Sequence, residues 1–142
     1  THCRVEAPMK FYVATRFSNK AEVRRTAKVL KQEFGHDITY NWADQPLLPV
    51  TEKVLRESAV EEIEGVNGAD YVVAILPGGY GTHVEIGAAL VQDKPVVLVV
   101  PNDGLLSDPY KNAIPFYRHP NVYRVQSLEM VPSVVEYVMG IG

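Results

Sequence analysis

Two glutamates and one glycine-rich turn are the residues of this chain best suited to do chemistry. The turn, Pro77-Gly78-Gly79-Tyr80-Gly81, follows the apolar run Tyr71-Val72-Val73-Ala74-Ile75-Leu76 and precedes Thr82-His83-Val84-Glu85, which opens a helical pattern reaching Leu90. Backbone N–H groups exposed where a strand turns into a helix form a cradle for a phosphate or a sugar. Gly78, Gly79 and Gly81 are more glycines than a turn needs, and point to a ligand approaching the backbone. Glu85 then hangs over that cradle as a carboxylate in the first helical turn, placed for chemistry at a sugar carbon. A structural reading stands beside this one, because Thr82 and Glu85 have the spacing of a capping box. The two are compatible: a capped helix start is a rigid mount for a nucleophile.

Glu62 is the second carboxylate. On a helix starting at Thr51, positions 55, 59, 62 and 66 form the stripe Leu55, Ala59, Glu62, Val66. A glutamate in such a stripe either lies at its edge, reaching water, or is held for a purpose. Glu57, Glu61 and Glu64 read as a solvated face, and Asp70 at a strand start as structural. Arg16 could meet a phosphate or the carboxylates, or be a surface arginine. Tyr12 and Trp42 offer aromatic surface for a nucleobase, or could be core. His83 reads as an exposed helix residue, and Cys3 has no partners around it.

The composition narrows the classes. A chain of 142 residues, 46% hydrophobic and 22% charged, is one globular domain. A net charge of −3 with no basic run excludes a nucleic acid polymer as partner but not a mononucleotide. One cysteine and four scattered histidines imply neither a disulfide framework nor a metal site. No apolar run is long enough to span a membrane, so a cytoplasmic enzyme is expected. Met9 looks like a natural start, with residues 1–8 a leader or remnant and 9–142 the domain. There is no phosphate-binding G-x-x-x-x-G-K-[ST] motif, and no dinucleotide fingerprint after the first strand.

Strand and helix patterns alternate along the chain. Strands are expected at 11–15, 38–42, 71–76, 95–100 and 121–125. Helices are expected from Ser18 or Asn19 to Phe34, from Thr51 to Asn67, from Thr82 to Leu90 and from Leu128 to Met139, with a helical turn near 110–113. Such alternation predicts a three-layer α/β/α domain, flavodoxin-like or Rossmann-like, with a five-stranded parallel sheet in the order 2-1-3-4-5. Ligands bind beyond the carboxyl ends of such strands, near the switch in strand order. That selects four loops, Arg16 to Asn19, Asn41 to Pro49, Pro77 to Thr82 and Pro101 to Tyr110, and Arg16, Trp42 and the glycine turn lie among them. The irregular segment 102–120, with Tyr110, Phe116 and Tyr117, reads as an interface surface.

The 11–17 strand and loop, the run Ala69-Asp70-Tyr71-Val72-Val73-Ala74 and Gly81-Thr82-His83-Val84-Glu85-Ile86-Gly87-Ala88-Ala89-Leu90 resemble the nucleoside 2-deoxyribosyltransferase family, including its nucleotide N-glycosidase branch. The resemblance covers about 9–100. It implies that Glu85 is a nucleophile attacking the anomeric carbon, and that Glu62, where the family carries aspartate, helps handle the leaving base. The family's first-strand tyrosine falls at Lys10 or Phe11, with Tyr12 adjacent, and an acidic residue of its base-exchanging branch is Gly79 here. The resemblance also implies a homodimer or higher homo-oligomer, with Asn112 a candidate to complete a partner's pocket. Leu76-Pro77-Gly78-Gly79-Tyr80-Gly81-Thr82 with Glu85 is similar as well to lonely-guy-type phosphoribohydrolases, although their earlier glycine turn and catalytic arginine are missing. The expected function is cleavage of the N-glycosidic bond of a nucleoside or nucleoside monophosphate, by hydrolysis or base exchange, with no metal or organic cofactor. The substrate-contacting set is Tyr12, Arg16, Trp42, Gly79, Gly81, Thr82 and Asn112. A nucleotide-binding or sensing module without catalysis is the alternative from another class.

Overall fold

Five short strands carry the architecture, in a computed structural model that describes residues 8–101 and 114–141. They are β1 (Lys10–Ala14), β2 (Asp37–Ile38), β3 (Tyr71–Ile75), β4 (Val96–Val99) and β5 (Val122–Val125). All pairings are parallel and the order is β2-β1-β3-β4-β5, as the alternating pattern predicts. Parallel strands need crossovers, and these are supplied by α1 (Lys20–Phe34), α2 (Glu52–Asn67) and α3 (Tyr80–Val91), with α4 (Val131–Met139) closing the chain.

The side-chain period of two sorts the strands onto two faces. Tyr12, Ala14, Val72, Ala74, Val96 and Leu98 point to one, where Val66 of α2 and Ile86 and Ala89 of α3 cover them. Phe11, Val13, Tyr71, Val73, Ile75, Val97 and Val99 point to the other, against Val23 and Leu30 of α1 and Val131 and Val135 of α4. Both faces are dry, which is why these strands read as continuous apolar runs rather than alternating ones. Truncating Leu30, fully buried, to alanine would cost about 2–5 kcal/mol.

Three local expectations are corrected. The second strand is Asp37–Ile38, not 38–42, and Trp42–Asp44 is a 3-10 turn. Beyond Thr39, whose N–H reaches the Phe11 carbonyl, the next outward carbonyl of β1 accepts from the Trp42 indole at 2.9 Å. A side chain replaces the ladder, so the edge strand ends early. The first helix starts at Lys20 with Asn19 in the cap position as expected, but it follows a 3-10 turn at Phe17–Asn19, and the Asn19 side chain donates to the Thr15 hydroxyl and makes no cap bond. Its other end is as expected: Gly35 is left-handed, at φ 72°, and its N–H returns to the Lys31 carbonyl. The last helix likewise begins at Val131, after a 3-10 turn at Leu128–Met130. The turn expected near 110–113, Asn112 and residues 1–7 lie outside the described residues. Among the described residues no helix is long and apolar enough to cross a membrane.

Candidate active site

The carboxyl ends of β1 and β3, the start of α3 and one face of α2 enclose a cleft of about 670 Å³. Arg16, Trp42, Glu62, Gly79, Gly81, Thr82 and Glu85 all line it, as the strand-order argument requires. A second groove of about 560 Å³, on the β2 side of α2, is lined by Lys10, Asp37, Thr39, Glu61 and Glu64 and holds neither Glu85 nor the glycine turn.

The capping-box expectation is corrected. The helix begins at Tyr80, with Gly79 in the cap position, so Thr82 and not Glu85 is the third helical residue. Thr82 Oγ1 accepts from the Gly79 N–H at 3.1 Å and closes the turn. Gly78 is required by this closure, since a Cβ there would lie 2.6 Å from Thr82 Cγ2. At Gly81, by contrast, a Cβ would meet nothing within 4 Å: the backbone faces open cleft. The N–H groups of Tyr80, Gly81 and Thr82, the first of the helix, have no acceptor within it. His83 is not an exposed residue either. Its ring bonds the Gly79 carbonyl through Nδ1 at 2.8 Å and the Tyr117 hydroxyl through Nε2 at 2.5 Å, pinning the turn from behind.

Freed from capping, Glu85 sits one turn into α3, only 5% exposed, at the floor of the cleft. Its Oε2 accepts from the Tyr12 hydroxyl at 2.7 Å. Tyr12 is therefore not a surface for a base: it is fully buried behind the floor and acts on the carboxyl. Burial raises Glu85 most, the Tyr12 bond pulls it down, and the charge and hydrogen bonding of the nearby Glu62 carboxyl push it up again, leaving it at about 8. The Tyr12 hydroxyl is driven well above the ordinary tyrosine range by its burial and by Glu85. It is thus a fixed donor rather than an acid that titrates.

Glu62 faces Glu85 because the inward stripe of α2 is not the one its apolar residues spell out. Val54, Ser58 and Glu62 line the cleft, and Gly65 and Val66 are buried below them. Leu55 is 54% exposed and Ile63 43%, so the apolar row 55, 59, 63 faces outward. Glu57 and Glu61, read as solvated, lie along the cleft wall. Asp70 is structural, accepting from the Lys10 N–H at 2.8 Å.

Several cleft residues escaped the sequence reading. Lys20 stands over the Phe17 ring, its Nζ 4.1 Å from the centroid, and Phe17 stacks on Trp42 at 6.3 Å. A readable signal was present, because a lysine at the first position of a helix opposes the helix dipole and so invites another reason for its place. The apolar wall of Pro46, Leu47, Leu48 and Val50 lies in or next to the 41–49 loop that strand order selects, though none of its residues stood out singly. Arg16 adjoins the glycine turn, its Cβ 4.0 Å from where a Gly79 Cβ would stand. The cleft thus has a cationic end, a pair of carboxyls at its floor and an aromatic and aliphatic wall.

No protein-family model matches the chain, and no curated protein matches its sequence. Solved structures do. The chain is similar to a 2-deoxyribosyltransferase from the psychrotolerant bacterium Bacillus psychrosaccharolyticus, at 20% identity over 86% of this chain and 89% of that one, with a TM-score of 0.63. It is similar also to the Clostridium botulinum CMP N-glycosidase BcmB, at 14% identity over 91% of this chain and 98% of that one, with a TM-score of 0.58. What the chain shares with both enzymes, at these identities, is the fold; in this chain that is a five-stranded parallel sheet in the order 2-1-3-4-5 between two layers of helices.

Proposed function

We propose that this protein cleaves the N-glycosidic bond of a nucleoside or nucleoside 5′-monophosphate, with Glu85 as nucleophile. The observation that carries the reading is the buried Glu85 carboxyl at the cleft floor, held by the Tyr12 hydroxyl and faced by Glu62. Two carboxyls forced together keep one proton between them up to about pH 8. One nucleophile and one acid are what a double displacement at an anomeric carbon requires. The likeness of fold to a 2-deoxyribosyltransferase and a CMP N-glycosidase supports the same chemistry.

In the reactive form the proton is on Glu62. A Glu85 oxygen attacks C1′, the bond from C1′ to the base nitrogen breaks, and its electron pair takes the proton from Glu62. The product is free base and a glycosyl ester on Glu85. Water then attacks C1′, losing its proton to the Glu62 carboxylate and freeing Glu85; a second base in place of water gives transfer. Every proton in this scheme is accounted for by the two carboxyls.

The cationic end sets the rest of the orientation. Arg16, Lys20 and the first N–H groups of α3 suit a 5′-phosphate, and Trp42, Leu47, Leu48 and Val50 suit the base. The outer faces of α2 and α3, with Leu55, Ile63, Val84 and Val91 exposed, suit a second copy of the chain. Of the interface expected at 102–120, Phe116 is exposed and Tyr117 is buried, while Tyr110 lies outside the described residues. The direct test is incubation with a panel of nucleosides and their 5′-monophosphates, followed by chromatography for free base. Base release that disappears in Glu85→Gln supports the reading; binding of nucleotides with no base release from any of them refutes it in favour of a sensing module.

A further inference from the structure

Gly65 lies in the last turn of α2, where glycine is a poorer helix former than alanine. Its φ is not positive, so no left-handed backbone explains it. What stands opposite does. A Cβ on Gly65 would lie 2.9 Å from Cδ1 and 3.0 Å from Cε1 of Tyr12, and 3.1 Å from Cβ of Tyr40. These are closer than carbon atoms pack. The helix cannot back away cheaply. The Gly65 carbonyl accepts from Thr39 Oγ1 at 2.6 Å, Lys94 Nζ holds the Val66 carbonyl at 2.9 Å, and Val66 itself is fully buried. Gly65 is also one turn after Glu62, so the stretch of α2 that offers bare backbone to Tyr12 is the stretch that brings Glu62 to the cleft.

We infer that Gly65 is a positioning residue for the carboxyl pair. Its missing side chain lets the Tyr12 ring lie against α2 with its hydroxyl on Glu85, while Glu62, on the same face, approaches that same carboxyl. The catalytic meaning rests on the proposed function; the geometric claim does not. With a Cβ at position 65 the buried ring must turn aside, because α2 is tied down at the contact itself, through the Gly65 and Val66 carbonyls. The hydroxyl then leaves Glu85.

The test is a titration of the Glu85 side-chain carboxyl by ¹³C NMR, which needs no substrate. Gly65→Ala is expected to move the Glu85 titration upward by about one pH unit, as loss of a hydrogen bond to the charged form requires. In a Tyr12→Phe background the same substitution is expected to move nothing further, since no hydroxyl remains to displace. Gly68→Ala, on the adjoining helix end, is the control: its Cβ would make only an ordinary 3.5 Å contact with the Glu64 carbonyl, and the titration should stay put. An unmoved or lowered titration in Gly65→Ala overturns the inference, as does an equal shift in the Tyr12→Phe background. Should Gly65→Ala fail to fold, thermal melts of Tyr12→Val/Gly65→Ala decide. Recovery of folding once the ring is gone supports the contact, and failure of both variants overturns it. Absence of turnover on every nucleoside would refute the proposed function and leave this titration result untouched.

Discussion

Replacing Tyr12 by phenylalanine removes one hydroxyl and leaves the ring, and hence the burial of Glu85, in place. The hydroxyl donates to Glu85 Oε2 at 2.7 Å, a bond that favours the charged carboxylate. Hydrogen bonds to charged groups contribute about 1.5–3 kcal/mol, and about 1.4 kcal/mol corresponds to one pKa unit. Losing the bond should therefore lift Glu85, which stands at about 8, by about 1–2 units. The reactive form of the pair, with Glu85 charged and Glu62 protonated, and the doubly charged form at high pH both carry the Glu85 carboxylate. Both become rarer by about 10–100-fold. On the plateau below the limb kcat/KM should fall by that factor, and the alkaline limb should move from about 8 to about 9–10. Above the limb the two profiles should converge, because there the two forms are penalised alike. The assay is the initial rate of base release against pH, with near-ultraviolet circular dichroism to show that the core is intact. A folded Tyr12→Phe protein whose limb stays put or moves to lower pH would refute the assignment of Tyr12 as the donor that stabilises the Glu85 charge.

Other outcomes follow from the same geometry. Glu85→Gln should abolish base release by several orders of magnitude while the protein stays folded. It should also flatten the pH dependence of stability: Glu85, raised from 4.5 to about 8 on folding, stabilises fully below pH 4.5 and loses that contribution as pH rises through about 8, at up to about 1.4 kcal/mol per pH unit. Urea melts across that window would show the slope vanish in the variant. His36 works in the opposite sense. Burial lowers its pKa below 6.5 while its Nδ1 bonds the Tyr71 hydroxyl at 2.8 Å, so its contribution is present above pH 6.5 and is lost as pH falls through the folded value; His36→Gln should remove that acid-side loss. Arg16→Ala should cut kcat/KM for a 5′-monophosphate by about 10–100-fold and leave the parent nucleoside nearly unchanged; equal efficiency on both substrates in the intact protein would refute the phosphate site. Sedimentation should detect a homodimer or larger assembly at micromolar concentration, and Ile63→Glu on the outer face of α2 should break it; a monomer throughout would count against that face.

Sequence alone determined the layers. Runs such as 71–76 and 95–100 stay apolar without alternation because helices cover both faces of the sheet, and that pattern needs no knowledge of partners. Gly35, in the left-handed conformation, was equally legible, since its requirement is set by the backbone itself. The place of the cleft also followed, because strand order and chain direction decide which loops share the carboxyl edge. Glu85 was read from its place after the glycine turn and Glu62 from its helical stripe and the family resemblance, and both line the cleft.

Tertiary structure decided what those residues do to one another. The shift of the α3 start to Tyr80 moved Thr82 from the cap to the third helical position, where its hydroxyl takes the Gly79 N–H, and released Glu85 from that role, a matter of two or three residues that no local pattern resolves. Which face of α2 turns inward was settled by packing, not by apolarity: the helix buries Gly65 and Val66 and leaves Leu55 and Ile63 outside. Tyr12 reads in the sequence as one more aromatic in a strand. Only when β1 lies beside β3, with α3 above them, does its hydroxyl come within 2.7 Å of a carboxyl 73 residues away. Periodicity reports what an element buries, because burial repeats with the backbone. A contact between one atom and another across the fold repeats with nothing, and the chain must close before it exists.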